Sequence, residues 1–115
     1  MSELTIYHNP RCSKSRQTLA LIEEHGVEAT VIEYLKSPLD VATLKSLATR
    51  LGVSPREMMR TKEAAYRENK LAEADDEALL QAIVAHPILL ERPIVVRGNK
   101  AIMGRPPENV LELIN

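Results

Sequence analysis

The chain has 115 residues, 15 Lys and Arg against 16 Asp and Glu, a formal net charge of −1, and neither Phe nor Trp. That length supports one domain with a real core and is too short for two, and the charge balance argues against general nucleic-acid binding, which usually accompanies a strong basic excess. A single cysteine cannot close an internal disulfide, no apolar run approaches the ~20 residues that span a bilayer, and the N-terminal apolar segment is broken too soon by His8, Asn9 and Pro10 to read as a signal peptide; a cytoplasmic location is expected.

Taken in chain order, Leu4 to Tyr7 reads as the first strand, and a helix follows from about Ser13 to His25 with Gly26 as its stop. The β-branched run Ala29 to Tyr34 predicts a second strand. Ser37-Pro38 then looks like an N-cap with a first-turn proline, opening a helix in which Val41, Leu44, Ala48 and Leu51 recur at helical spacing before Gly52. Ser54-Pro55-Arg56-Glu57 is a capping box that opens a short helix reaching about Arg60. The polar stretch Thr61 to Glu73 reads as loop or frayed helix. Asp75 or Asp76 caps a helix with Ala78, Leu79, Ala82 and Ile83 on one face, which makes the acidic cluster a helix start rather than a metal site. Ile94 to Val96 and Lys100 to Met103 flank Arg97-Gly98-Asn99, a hairpin signal of open turn type. A terminal helix from about Pro106 to Ile114 closes the chain.

The order is therefore β-α-β, a helical block, then β-β-α. This is the arrangement of a thioredoxin-like α/β fold: a four-stranded mixed sheet, strands one and two parallel, strands three and four antiparallel, with the helical block inserted between strands two and three. One domain over residues 1–115 is expected, with the helical insertion at about 37–88. Arg92-Pro93 stands directly before strand three, where proteins of this fold place a cis-proline beside their reactive thiol.

The chemistry concentrates in His8-Asn9-Pro10-Arg11-Cys12-Ser13-Lys14-Ser15-Arg16. Cys12 falls between the first strand and the first helix, where backbone N–H groups and the helix dipole favour an anion. The thiolate is the nucleophile, and such a position lowers a cysteine pKa from ~8.5 toward neutrality. A lone cysteine is more often a packing residue, but polar and basic neighbours favour a reactive thiol here. For His8, a turn or cap role and help in ionising the thiol both stay open. His25 and His86 read as helix-end residues, and Met58 and Met59 as core.

These segments, with Met58-Met59-Arg60, His86-Pro87-Ile88-Leu89, Glu91-Arg92-Pro93-Ile94-Val95-Val96 and Gly104-Arg105-Pro106-Pro107-Glu108, resemble the ArsC family of glutaredoxin-dependent arsenate reductases, in particular its small bacterial branch. The resemblance implies that Cys12 is the nucleophile that attacks arsenate. It implies that Arg60, Arg92 and Arg105 surround the thiol and hold the oxyanion, and that His8 and Ser15 orient or hydrogen-bond the thiolate region. It further implies glutathione as co-substrate, glutaredoxin as protein partner, no bound cofactor or metal, and a monomer. One departure stands out: where the family often has Gly-Thr-Ser after the cysteine, this chain has Ser13-Lys14-Ser15, keeping the serine and adding a flexible cation.

Residue chemistry is compatible with that expectation. Arginine stays charged and its planar fork donates two hydrogen bonds to a tetrahedral oxyanion. Taken singly, any one of the three arginines reads as solvated surface charge; Arg92 and Arg105, each beside a proline at the hairpin's edges, lean toward a site. Arg11, Arg16, Arg50, Arg56, Arg67 and Arg97 read as surface charge, Arg16 having the best claim to lie nearer the site. A cysteine phosphatase would need arginine six residues after the cysteine, where Thr18 stands. There is no Walker or dinucleotide-binding loop. Ser15 occupies the second position of a would-be Cys-x-x-Cys, so electrons must come from an external thiol through a mixed disulfide. The alternatives are a regulatory adaptor of the same family that binds a protein and reduces no arsenate, and a thiol-transfer enzyme acting on another oxyanion or on glutathionylated protein.

Overall fold

The computed structural model describes residues 4–37, 39–91 and 93–114. They form two compact units, residues 4–37 with 93–114, and residues 39–91.

The first unit is a four-stranded sheet with helices. Its strands are β1 (Leu4–Tyr7), β2 (Ala29–Ile32), β3 (Ile94–Arg97) and β4 (Lys100–Met103), in the order β2-β1-β3-β4. β1 runs parallel to β2 with Ile6 opposite Val31, and antiparallel to β3 with Ile6 opposite Val95; β3 and β4 are antiparallel. The mixed sheet anticipated from the element order is thus present. Leu4 and Ile6 alternate inward along β1, as a half-buried strand must. They join Ile22, Val95, Val110 and Leu113 in one core cluster, which brings helix α1 (Ser13–Glu24) and the terminal helix α5 (Leu111–Ile114) onto that face.

Several boundaries move from the sequence reading. β2 ends at Ile32 rather than Tyr34, because the Glu33 carbonyl accepts the N–H groups of Lys36 and Ser37 and closes a turn. Tyr34 is buried inside that turn. The hairpin turn has positive φ at Gly98 (62°) but not at Asn99, the II′ rather than the I′ pattern. The terminal helix opens as a 3₁₀ turn over Pro107–Val110 and becomes α-helical only at Leu111. The Arg92–Pro93 bond, where a cis-proline was anticipated, lies outside the described residues; Arg105–Pro106 is cis.

The second unit is helical: α2 (Val41–Leu51), a 3₁₀ turn over Pro55–Met58, α3 (Ala64–Glu68), a 3₁₀ turn over Leu71–Glu73, α4 (Asp76–Ala85) and a 3₁₀ turn over Pro87–Leu89. The cap of α2 is Asp40, whose carboxylate accepts the Thr43 N–H at 2.8 Å, not the Ser37 inferred from sequence; Pro38 lies outside the described residues. The Ser54–Glu57 capping box is present, but the turn it opens stops at Met58, and Met59 is extended. Asp75 caps α4 through the Ala78 N–H. Leu44, Leu47, Met58, Leu79, Leu80 and Leu89 are fully buried and supply this unit's own core.

Two arginines read as surface charge are structural. Arg56 donates to the carbonyls of Leu71 and Ala74, both at 2.9 Å, and to the Tyr66 hydroxyl, tying the polar stretch to the capping-box turn. Arg97 donates to the Leu113 carbonyl at 2.9 Å, satisfying an orphan acceptor at the end of α5. No helix among the described residues is long and apolar enough to cross a membrane.

Gly104, just after β4, is required by close approach. A Cβ there would lie 2.5 Å from Thr18 Oγ1 and 2.7 Å from Pro93 Cγ. A short branched side chain and a closed ring have little room to yield. Gly104→Ala should therefore cost about 1–3 kcal/mol, measured as a lower urea midpoint without a change in slope.

Candidate active site

The loop carrying Cys12 is built by hydrogen bonds that the local sequence dictates. The His8 N–H donates to Ile32 O at 2.8 Å, extending the β1–β2 ladder by one step. The chain then turns: the Cys12 N–H donates to Asn9 O, and the Asn9 side-chain oxygen accepts the Arg11 N–H, both at 3.0 Å. Proline at the second position pre-sets such a turn, and asparagine at the first closes it with its own amide. Cys12 itself is extended (φ −94°, ψ 123°) and is the N-cap of α1. Its carbonyl accepts the Arg16 N–H, the first bond of the helix. The N–H groups of Ser13, Lys14 and Ser15 precede that bond and have no i−4 carbonyl within the helix. The cysteine thus stands at the positive end of a helix of 12 residues.

Beneath the thiol's loop lies a buried polar triad. Ser15 is fully buried, and His8 and Asn9 are nearly so. Ser15 Oγ accepts the Asn9 N–H at 3.1 Å and lies 2.6 Å from His8 Nδ1. With the imidazole proton on Nε2, the Ser15 hydroxyl donates to Nδ1; with it on Nδ1, the ring donates to Ser15 and the hydroxyl proton is released to another acceptor. Burial pushes the His8 pKa below its usual value; the Arg16 cation works in the same direction and Glu33 partly opposes them. His8 is therefore held neutral, able to take either tautomer. The exposed Arg16 folds back so that Nη1 donates to Pro10 O at 2.8 Å.

Of the site residues inferred from sequence, the structure brings His8 and Cys12 onto this one loop and Ser15 against it from the first turn of α1. Arg105 follows Gly104, whose carbonyl accepts the Thr18 hydroxyl at 3.4 Å and whose N–H donates to Pro93 O at 2.9 Å; the Arg105 backbone therefore enters beside α1 with its side chain exposed. Arg60 belongs to the helical unit. Its N–H donates to Leu89 O, and its guanidinium pairs with Glu63 at 2.8 Å. Arg92 lies outside the described residues. Two contributors escaped the sequence reading. Asn9 carries three of the loop's hydrogen bonds, a role that Asn-Pro at the end of a strand signals. Thr18 is wholly buried and bonds Lys14 O at 2.8 Å as well as Gly104 O, a long-range contact with no local signature.

A βαβ unit bearing a cysteine N-cap, a buried His-Ser-Asn triad and a β-hairpin on the far side of the central strand defines a thioredoxin-like thiol protein. Residues 7–113 match the ArsC family model, and the chain belongs to the ArsC family. It is 56% identical over 115 residues, 97% of each chain, to an uncharacterised protein of Escherichia coli, YfgD. It is 51% identical over 113 residues to a protein of Neisseria meningitidis named arsenate reductase, covering 96% of this chain and 97% of that one. Among solved structures, an arsenate reductase from Vibrio cholerae superposes with a TM-score of 0.93 at 50% identity, over 96% of this chain and 97% of that one.

The depressed His8 pKa has a definite sign in the stability. The unfolded chain titrates near 6.5, the folded chain lower, so between those values the unfolded state binds more protons and stability rises with pH. This contribution is full above the unfolded value and is lost as pH falls below it. Urea unfolding at a series of pH values from about 7 to about 5 should show wild type losing more stability on acidification than His8→Gln.

Proposed function

We propose that the protein is an arsenate reductase in which Cys12 is the nucleophile and an external thiol supplies the second electron equivalent. The observation that carries this reading is Cys12 at the start of α1 above the buried His8–Ser15–Asn9 triad; the names of relatives near 50% identity support the substrate. The Cys12 thiolate attacks arsenic(V), an arsenate oxygen leaves as water after protonation, and a thioester-like S–As bond forms. Glutathione attacks the same arsenic as the second thiol, a further arsenate oxygen leaves as water after protonation, and a second S–As bond forms. The two sulfurs then join as a mixed disulfide, their two electrons reduce arsenic(V) to arsenic(III), and arsenite departs. A glutaredoxin thiol attacks the glutathione sulfur of that disulfide and returns Cys12 as thiolate.

In this reading Arg60, Arg92 and Arg105 neutralise and orient the oxyanion. Ser15, held by Asn9 and His8, sets the polarity beneath the thiol. No cofactor is bound, and the chain works as a cytoplasmic monomer. Glu63 is the present partner of Arg60, and the oxyanion would compete with it for the guanidinium fork.

Turnover should require arsenate, glutathione and glutaredoxin in an assay coupled to NADPH through glutathione reductase. Cys12→Ser should abolish it, and thioredoxin alone should not sustain wild type. Iodoacetamide alkylation of Cys12 should show a midpoint below the ~8.5 of a free thiol. Arg92→Ala and Arg105→Ala should each remove roughly 1.5–3 kcal/mol, about one to two orders of magnitude in turnover, with Arg→Lys restoring only part because the fork is lost. Arg50→Ala and Arg67→Ala are the controls. A wild type that neither binds oxyanion nor turns over arsenate would replace this reading with the regulatory adaptor.

A further inference from the structure

The carboxyl ends of the parallel strands β1 and β2 lie side by side, and the loops that leave them enclose an open cleft of about 280 Å³ lined by Asn9, Pro10, Arg11, Glu33, Leu35 and Lys36. The hydrogen bond from His8 N–H to Ile32 O fixes the two loops against each other. Ligands in open α/β sheets bind at such strand ends, and the volume lies just below the ~300–1,000 Å³ of small-molecule sites. A larger hollow of about 530 Å³, lined by Glu23, Gly26 and Glu28 among others, lies at the amino end of β2, away from the cysteine loop. Of these two, the smaller cleft shares that loop.

Its chemistry is specific. Pro10 is exposed, and Leu35 at 38% exposure is one of two large hydrophobic side chains exposed among the described residues. Around this apolar floor stand two cations, Arg11 and Lys36, and one anion, Glu33. We infer that the cleft is the seat of the thiol co-substrate: it takes a short peptide thiol with two carboxylates and one ammonium group, which is the charge set of glutathione. The assignment rests on the reading that Cys12 is served by such a thiol. Arg11 and Lys36 receive the two carboxylates, Glu33 receives the ammonium, and the peptide lies over Pro10 and Leu35. Arg11 directly precedes Cys12, so a peptide held there brings its sulfur to the nucleophile's side of the loop. Lys36 and Glu33 now pair with each other at 3.4 Å, with Lys36 80% exposed. An exposed pair of that kind is worth ~0–1 kcal/mol, so ligand charges can replace it at small cost.

S-methylglutathione, which cannot exchange disulfides or reduce arsenic, is the probe. Titrated into the full-length protein, it should shift the backbone amide resonances of residues 9–11 and 33–36 and leave those lining the hollow at Gly26 in place. Arg11→Ala, Lys36→Ala and Glu33→Gln should each weaken its binding by about two- to fivefold, and Lys36→Glu by more. The glycine amide of the probe, short of one carboxylate, should bind wild type more weakly and should lose less affinity on one of the two cation-to-alanine changes. Absence of shifts, shifts confined to another surface, or equal affinity in all the variants would overturn the assignment. Arsenate turnover with glutathione is scored separately. Turnover without binding at the cleft sinks the site alone, whereas binding at the cleft without turnover leaves the site standing and sinks the reductase reading.

Discussion

Ser15 Oγ, with no exposed surface, is shared by the Asn9 N–H and the His8 ring, and the geometry of the cysteine loop follows from that sharing. A buried hydroxyl cannot be left unpaired without a penalty of about 1–3 kcal/mol. Asn9 and His8 must therefore stay within reach of the third residue of α1, which folds the intervening Pro10-Arg11-Cys12 outward as a tight turn. Cys12 is left at the helix start with its carbonyl already committed to Arg16. The reactive group is thus presented by a frame whose polar atoms face inward, and neutral His8 lets that frame exist at low dielectric without an uncompensated charge.

The rest of the sheet unit supports the same loop from two sides. The ladder bond from His8 to Ile32 holds it to β2, and the contact of Gly104 with Thr18 holds α1 to the end of β4. Both Thr18 hydroxyl bonds go to backbone carbonyls, one inside α1 and one across to Gly104, so a single small side chain sets the helix depth against the hairpin. Residues on α1 that take part in these bonds, Ser15 and Thr18, are one helical turn apart and share its buried face.

Much of this architecture was written in local patterns. The alternation of Leu4 and Ile6, the stop at Gly26, the Ser54–Glu57 box and the Gly98 turn each act over a few residues, and each appears as read. What failed was decided at longer range or by competition between neighbouring groups. Asp40 outcompeted Ser37 as a cap because its carboxylate reaches the Thr43 N–H. Tyr34 left the strand because Glu33 O was taken by the following turn. Arg56 and Arg97 looked like solvent charges because the carbonyls that hold them lie 15 or more residues away. In the site, Cys12, His8 and Ser15 were legible from one nine-residue motif. Thr18 was silent because its partner stands 86 residues on.

The two units differ in how their chain is supplied. The helical unit is one uninterrupted stretch, residues 39–91, and the backbone bonds from Arg60 N–H to Leu89 O and from Glu91 N–H to Met58 O tie its two halves together within that stretch. The sheet unit is split: β3, the strand that flanks β1 opposite β2, lies about ninety residues after it in the chain. During synthesis, with domains forming as their chain emerges, the helical unit can pack as soon as its last residue clears the ribosome. Until β3 arrives, β1 has only β2 for a neighbour, and Leu4 and Ile6 lack the Val95, Val110 and Leu113 that cover them. A growing chain therefore carries its cysteine on an unfinished sheet until β3 and the segment holding Val110 and Leu113 have been made.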